Sequence, residues 1–305
     1  MRVSVVIPTY NCAARLLRAL ESVAAQSYAR DLIEIVVVDD GSSDDTAERV
    51  ARFATGAVPE TRYVCQANAG PAAARNHGLR LVRGDAVAFL DADDGWRPDK
   101  LAAQMPLLTG ATGLVYCDSS FVDADGQLLV GYARAIPELR GDILLPLFCE
   151  FFLLTSAVVM SRQAIDAIGT FREDLPVGED YEFFLRVAAR FRADCVAAPL
   201  LERCVRPDSL SRRDYALDAR IDLDTLERFL REHTDFAARH RVVAAQRIAR
   251  YRYEFAYRLL ADGRRSEAID QLLQSLRVRT SLAAARTLVR AAVTPARPAA
   301  RRANV

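Results

Sequence analysis

Three carboxylates, Asp91, Asp93 and Asp94, close the apolar run Ala86-Val87-Ala88-Phe89-Leu90. A short apolar run fits a buried strand, and the ligands of open α/β sheets gather beyond the carboxyl ends of strands. Asp91-x-Asp93 sets two hard oxygen donors on one loop, suited to Mg2+ or Mn2+ held jointly with phosphate oxygens. The competing reading is a solvated acidic turn. Asp39-Asp40-Gly41-Ser42 closes a second apolar run, as a binding loop or as a strand end with a helix cap. Glu179 and Asp180 open a helix, where the dipole favours acids whether or not they do chemistry. Trp96 follows the acidic loop and offers a ring either to a sugar or to the core.

Several chemistries are excluded by residue type. The twelfth position counted from Asp91 is Ala102, where an EF-hand needs Glu. No G-x-x-x-x-G-K-[ST] occurs, and the only lysine, Lys100, follows Asp99. No G-x-G-x-x-G follows a strand, and His77, His233 and His240 form no metal-ligand pattern. The six cysteines contain no C-x-x-C pair and several lie in apolar runs, which argues for a reducing compartment rather than zinc or disulfides.

These residues need elements to hold them. Residues 3–7 read as a buried strand broken by Pro8-Thr9-Tyr10-Asn11, followed by a helix over 13–26. Residues 33–38 and 62–65 read as strands, with helices over 46–53 and from Pro71. Residues 86–90 form the fourth strand. That alternation predicts a mostly parallel sheet flanked by helices. Further on, a helix is expected over 98–109, a strand over 114–117, a hairpin turn at 123–126, a core segment over 141–160 and a helix from Glu179 to Phe191. Two short strands should cover 194–198 and 200–205. From about residue 216 the pattern is helical only, with Ala244, Ile248, Tyr251, Phe255 and Leu259 on one face.

Taken in order, Val3-Ser4-Val5-Val6-Ile7-Pro8-Thr9-Tyr10-Asn11, Val36-Val37-Val38-Asp39-Asp40-Gly41-Ser42, Ala74-Arg75-Asn76-x-Gly78, Phe89-Leu90-Asp91-Ala92-Asp93-Asp94 and Gly178-Glu179-Asp180 resemble the family-2 glycosyltransferases with the GT-A fold. The resemblance implies inverting transfer of a sugar from a nucleoside diphosphate, usually of uridine, with Mn2+ or Mg2+. It implies that Pro8, Thr9 and Tyr10 contact the nucleoside, and that Asp40, with Asp39 beside it, reads the base. Asp91 lies near the ribose, Asp93 ligates the metal, and Arg75 meets the donor phosphates or the acidic loop. Asp180 is the base, with Glu179 beside it. Arg206 stands where the family often has His. An Arg can neutralise a diphosphate but cannot ligate metal. The absence of Q-x-x-R-W weighs against a processive synthase.

The expected partners are a nucleotide-sugar donor and a glycan or lipid-linked acceptor. An enzyme that makes nucleotide sugars would need a Gly-rich first loop, which Pro8-Thr9-Tyr10-Asn11 does not supply. The remaining alternative is a catalytically inactive GT-A module whose C-terminal helices dock a partner. The expected division is a catalytic domain over 1–215, a helical appendage over 216–293 and a disordered tail over 294–305. Net charge is +1, which gives no reason to expect nucleic acid. Residues 228–305, however, hold 17 arginines against 6 acids, a basic segment that can pack on an acidic body or sit at an anionic membrane. The first strand leaves no room for a signal peptide, and residues 143–160 carry Glu150, which disfavours a membrane span. A cytoplasmic protein, at the inner face of the membrane, is expected.

Overall fold

The computed structural model describes residues 1–55, 59–123, 126–129, 136–205 and 215–293. The chain divides into two compact units, Met1–Pro207 and Asp208–Val305.

The first unit is a sheet wrapped by helices. Its strands are β1 (Val3–Thr9), β2 (Ile33–Asp39), β3 (Glu60–Cys65), β4 (Ala86–Phe89), β5 (Gly95–Trp96), β6 (Thr112–Val122), β7 (Val159–Ser161) and β8 (Arg192–Cys204), in spatial order β3-β2-β1-β4-β7-β6-β8-β5. The helices are α1 (Ala13–Ala24), α2 (Thr46–Ala54), α3 (Pro71–Leu81), α4 (Lys100–Gln104), α5 (Leu144–Cys149), α6 (Arg162–Ile168) and α7 (Glu179–Ala188). β1 pairs in parallel with β2 and β4, and β2 with β3. β7 and β5 run antiparallel to their neighbours. β1 and β2 are mostly apolar and almost wholly buried because both faces are covered, by Leu16, Leu20 and Val23 of α1 on one side and by α3 on the other.

Several boundaries differ from the sequence reading for local reasons. The helix expected over 98–109 is only α4, because Pro106 lacks an N–H and the chain tightens into a 3-10 turn over Met105–Leu107. The strand expected over 114–117 runs from Thr112 to Val122. The two strands expected over 194–205 are one, β8, in which Pro199 sits opposite Asp118 at a register shift. α7 ends at Ala188 rather than Phe191. Residues 141–160 are core: Ile143, Leu147, Phe148, Leu153 and Val158 are buried. Asp123 accepts from Gly126 N, as the expected turn requires, while residues 124 and 125 lie outside the described residues. Trp96 is buried and donates its indole N–H to Ser156 O at 2.8 Å, so it packs. Lys100 is fully buried beneath it, its amine 4.0 Å from the ring centroid, and burial lowers its pKa to about 8.

The second unit holds α8 (Tyr215–Glu232), α9 (Thr234–Arg239), α10 (Arg241–Ala261), α11 (Arg265–Val278) and α12 (Leu282–Val293). The α10 face read from the sequence is the one buried: Ala244, Ile248, Phe255 and Leu259 pack inward with Leu226, Phe229 and Leu272. Arg252 ties three helices together, donating to Glu227 of α8 and to Gln271 and Gln274 of α11. Among the described residues no helix is long and apolar enough to cross a membrane. The expected tail, 294–305, lies outside the described residues.

Candidate active site

Parallel pairing sets Thr9 beside Asp39 and Asp39 beside Cys65, while Leu90 N bonds Val6 O. The carboxyl edge of the sheet therefore collects the first loop, the Asp39-Asp40 turn and the acidic loop.

The first two loops brace each other. Asn11, at φ +47°, accepts from Ser43 N at 2.8 Å, and Asn11 N donates to Ser42 Oγ at 2.9 Å. Asp44 accepts from Ala13 N at the start of α1. Asp39 accepts from Ser42 N and from the Tyr63 hydroxyl at 2.6 Å. Burial and that contact push the Tyr63 phenol well above its usual range. Asp40 is buried and accepts from Gln66 Nε2 and from the N–H groups of Ala69 and Gly70, so it clasps the loop leading into α3. Gly41, at φ +83°, makes the turn between them, and a Cβ there would stand 3.1 Å from Asn68 N. Pro8 and Thr9 end β1 and Tyr10 is exposed. Among the described residues Thr9 Oγ1 is buried with no hydrogen-bond partner.

The acidic loop is fixed from three sides. Asp94 N donates to Asp91 O, closing the turn, and Asp91 N donates to Ser156 Oγ at 3.0 Å. Arg18 of α1 donates to the Asp93 carbonyl at 3.0 Å. Asp94 is buried and accepts from Cys204 N at 3.0 Å; burial, then the charges of Asp91 and Asp93, raise its pKa to about 7.

Arg75 joins this loop to α7. It is buried, donating to Asp91 Oδ1 at 2.9 Å and to Glu179 Oε1 at 2.6 Å. Burial would lower its pKa, but Asp91 and Glu179 more than offset that and raise it. Arg75 thus lies against the acidic loop through Asp91. Beyond it stands Asp180, half-buried, accepting from the N–H of Tyr181. Burial, then the neighbouring Glu179, raises its pKa to about 7, against the lowering effect of Arg75. Gly178, in the left-handed region at φ +71°, starts α7 and turns these acids toward Arg75. Asn76 holds the preceding segment, bonding both N and O of Phe171 and Glu173 Oε1.

The structure thus brings Arg75, Asp91, Glu179 and Asp180 together, with Asp93 and Asp94 in the same loop and Asp39 and Asp40 on the adjoining turn. Arg206 lies outside the described residues. Arg18, Ser156 and Asn76 carry the site's supporting bonds, and of these only Asn76 lies within a motif read from the sequence. Arg15 also feels the charge of Asp93 from α1.

Among the described residues no group of three or more His, Cys, Asp or Glu side chains is arranged to hold a metal ion. Asp91 and Asp93 nonetheless fit a cation shared with a diphosphate, which supplies the remaining oxygens. After burial, the charges of Asp91 and Asp93 also raise the Asp94 pKa, and such a cation would relieve that part of the negative charge. A cavity of about 370 Å³ lies in the helical unit against Leu230, Ala244, Ile248 and Val278 and holds none of these carboxylates.

A mostly parallel sheet with carboxylates at its carboxyl edge and an acidic loop tied to a helix start defines a GT-A glycosyltransferase. The chain belongs to glycosyl transferase family 2, whose family description matches residues 4–159. An uncharacterized glycosyltransferase of Nostoc sp. is 45% identical over 101 residues, 33% of this chain and 31% of the relative. The succinoglycan biosynthesis protein ExoO of Rhizobium meliloti is 32% identical over 248 residues, 76% of this chain and 68% of that protein. The chain therefore spans from less than a third to about two thirds of these relatives. Two solved structures share the fold at a TM-score of 0.63: S. aureus TarS 1-349 in complex with UDP-GlcNAc (18% identity, 89% of each chain) and the mannosyltransferase PcManGT from Pyrobaculum calidifontis in complex with GDP-Man and Mn2+ (23% identity, 95% of this chain and 79% of that one).

Proposed function

We propose that the chain transfers one sugar, with inversion, from a uridine diphosphate sugar to a hydroxyl of a glycan or lipid-linked acceptor, with Asp180 as general base. The observation that carries this reading is the Arg75 bridge between Asp91 and Glu179, which sets a carboxyl of raised pKa beside the acidic loop. The UDP-GlcNAc bound to TarS supports a uridine donor, the Mn2+ bound to PcManGT supports a divalent cation, and the name of ExoO supports a polysaccharide product.

In this mechanism Pro8, Thr9 and Tyr10 hold the nucleoside, the unpartnered Thr9 hydroxyl giving it a buried polar contact. Asp39 and Asp40 shape the base pocket, and Asp91 meets the ribose. Asp93 would hold Mn2+ or Mg2+, whose charge stabilises the leaving diphosphate. Arg206 adds positive charge there, while Arg75, held by Glu179, keeps the acidic loop in register with α7. Asp180 takes the proton of the acceptor hydroxyl as its oxygen bonds the anomeric carbon. The bond from that carbon to the diphosphate oxygen breaks, and the electron pair leaves with the nucleoside diphosphate.

Catalysis belongs to the first unit. The basic helices of the second unit bring the enzyme to the inner face of the membrane, where lipid-linked acceptors lie. Isothermal titration of nucleotides and nucleotide sugars with Mn2+, and again with chelator, tests the donor and metal together. Metal-dependent binding of one uridine diphosphate sugar, lost in Asp93→Ala, is expected. Transfer that survives both Asp93→Ala and Asp180→Ala would overturn the reading.

A further inference from the structure

After Asp270 the chain carries no acidic residue through to position 305, yet it carries seven arginines. Four of them, Arg277, Arg279, Arg286 and Arg290, are exposed and form no ion pair among the described residues. Elsewhere in the same unit some exposed arginines find acids one helical turn away, as Arg250 does with Glu254 and Arg264 with Glu267. The last turn of α11 and the outer face of α12 are the stretch in which the sequence offers the arginines no acid at all.

α12 is built with two unlike sides. Ala284 and Ala291 are buried, and Thr287 Oγ1 lies 3.5 Å from the Tyr253 hydroxyl of α10, so this side packs on the helical unit. The opposite side presents Leu282, Arg286, Val289 and Arg290, at spacings of four, three and one, on a single helix face. Leu282 is 79% exposed and Val289 62% exposed. Val278 is also exposed and, in sequence, stands between Arg277 and Arg279 at the end of α11. Apolar side chains interleaved with arginines, without one acid, suit a surface that is greasy below and anionic above. The apolar groups enter the acyl boundary while the guanidinium groups remain with the headgroup phosphates. A twelve-residue helix is too short to span a bilayer, so it would lie in the interfacial plane.

We propose that the outer face of α12, with the 277–279 turn of α11, is the docking surface of this protein for an anionic phospholipid headgroup layer. This deepens the membrane contact in the functional reading above by naming its residues and lipid class. An RNA or an acidic protein would match the arginines but leave Leu282 and Val289 without an apolar partner.

The test is co-sedimentation of the full chain with vesicles of phosphatidylcholine, with and without phosphatidylglycerol. Binding is expected only with the anionic lipid and should weaken as salt is raised. Each arginine removed should weaken it about fivefold, so Arg286→Glu with Arg290→Glu should abolish it. Leu282→Ser with Val289→Ser should also weaken binding while leaving its salt dependence in place. Circular dichroism melts guard against misfolding, which these exposed positions should not cause. Binding that is indifferent to charge reversal, equal on neutral vesicles, absent altogether, or displaced to RNA would overturn the proposal. Donor titration on the same variants without vesicles should be unchanged, which separates failure of this docking surface from failure of the proposed enzyme activity.

Discussion

As the proposed general base, Asp180 faces two demands that an ordinary carboxylate cannot meet together: it must be ionised at working pH and still bind a proton firmly. Burial and Glu179 move its pKa to about 7, where both are satisfied. Below that value the carboxyl is protonated and cannot accept, so kcat/KM should fall about tenfold per pH unit on the acid side and level off above it. An acid limb near pH 4 in the pH–rate profile would contradict this. Asp180→Asn should cut kcat by about 10²–10⁴ while titration still detects donor binding. Arg75 makes a different prediction, because its two partners are its reason for being buried. Arg75→Ala leaves Glu179 and Asp91 facing each other without a cation, and urea unfolding should show a loss of about 3–5 kcal/mol. The carboxylates were legible because each ends an apolar run or opens a helix. Arg18 and Ser156 were not, because their bonds to the acidic loop span 75 and 65 residues of chain and exist only once β4, β7 and α1 are in place.

At the scale of elements, α7 works as a bracket whose angle is set by Gly178. A β-carbon at φ +71° costs about 1 kcal/mol or more. Relaxing that strain would turn Glu179 and Asp180 away from Arg75. Gly178→Ala should therefore lower kcat more than it raises the donor KM, and steady-state kinetics would show the split. An equal effect on both would mean that α7 serves binding alone. The four parallel strands and their helices were legible from apolar runs and turn residues. The mixed half, from β5 to β8, was less so. Pro199 masked the continuity of β8, and Pro106 shortened a helix whose apolar spacing continues past it.

At the scale of the molecule, two compact units with separate cores should unfold separately. Calorimetry is expected to resolve two transitions, and a uridine diphosphate sugar with Mn2+ should raise only the one belonging to the first unit. A single transition, or a shift in both, would show that the helical unit shares the first unit's stability. The chain also has an unusual economy of amines. Its one lysine side chain lies sealed under Trp96, where burial lowers its pKa to about 8, and it regains the ordinary basicity of a lysine amine once uncovered, so an alkaline medium is the one in which exposure makes it react. An acylating reagent offered to the folded protein should pass it by until the β5–β6 region opens. The rate at which Lys100 gains a label would then time that opening, giving a built-in clock for the breathing of the catalytic core.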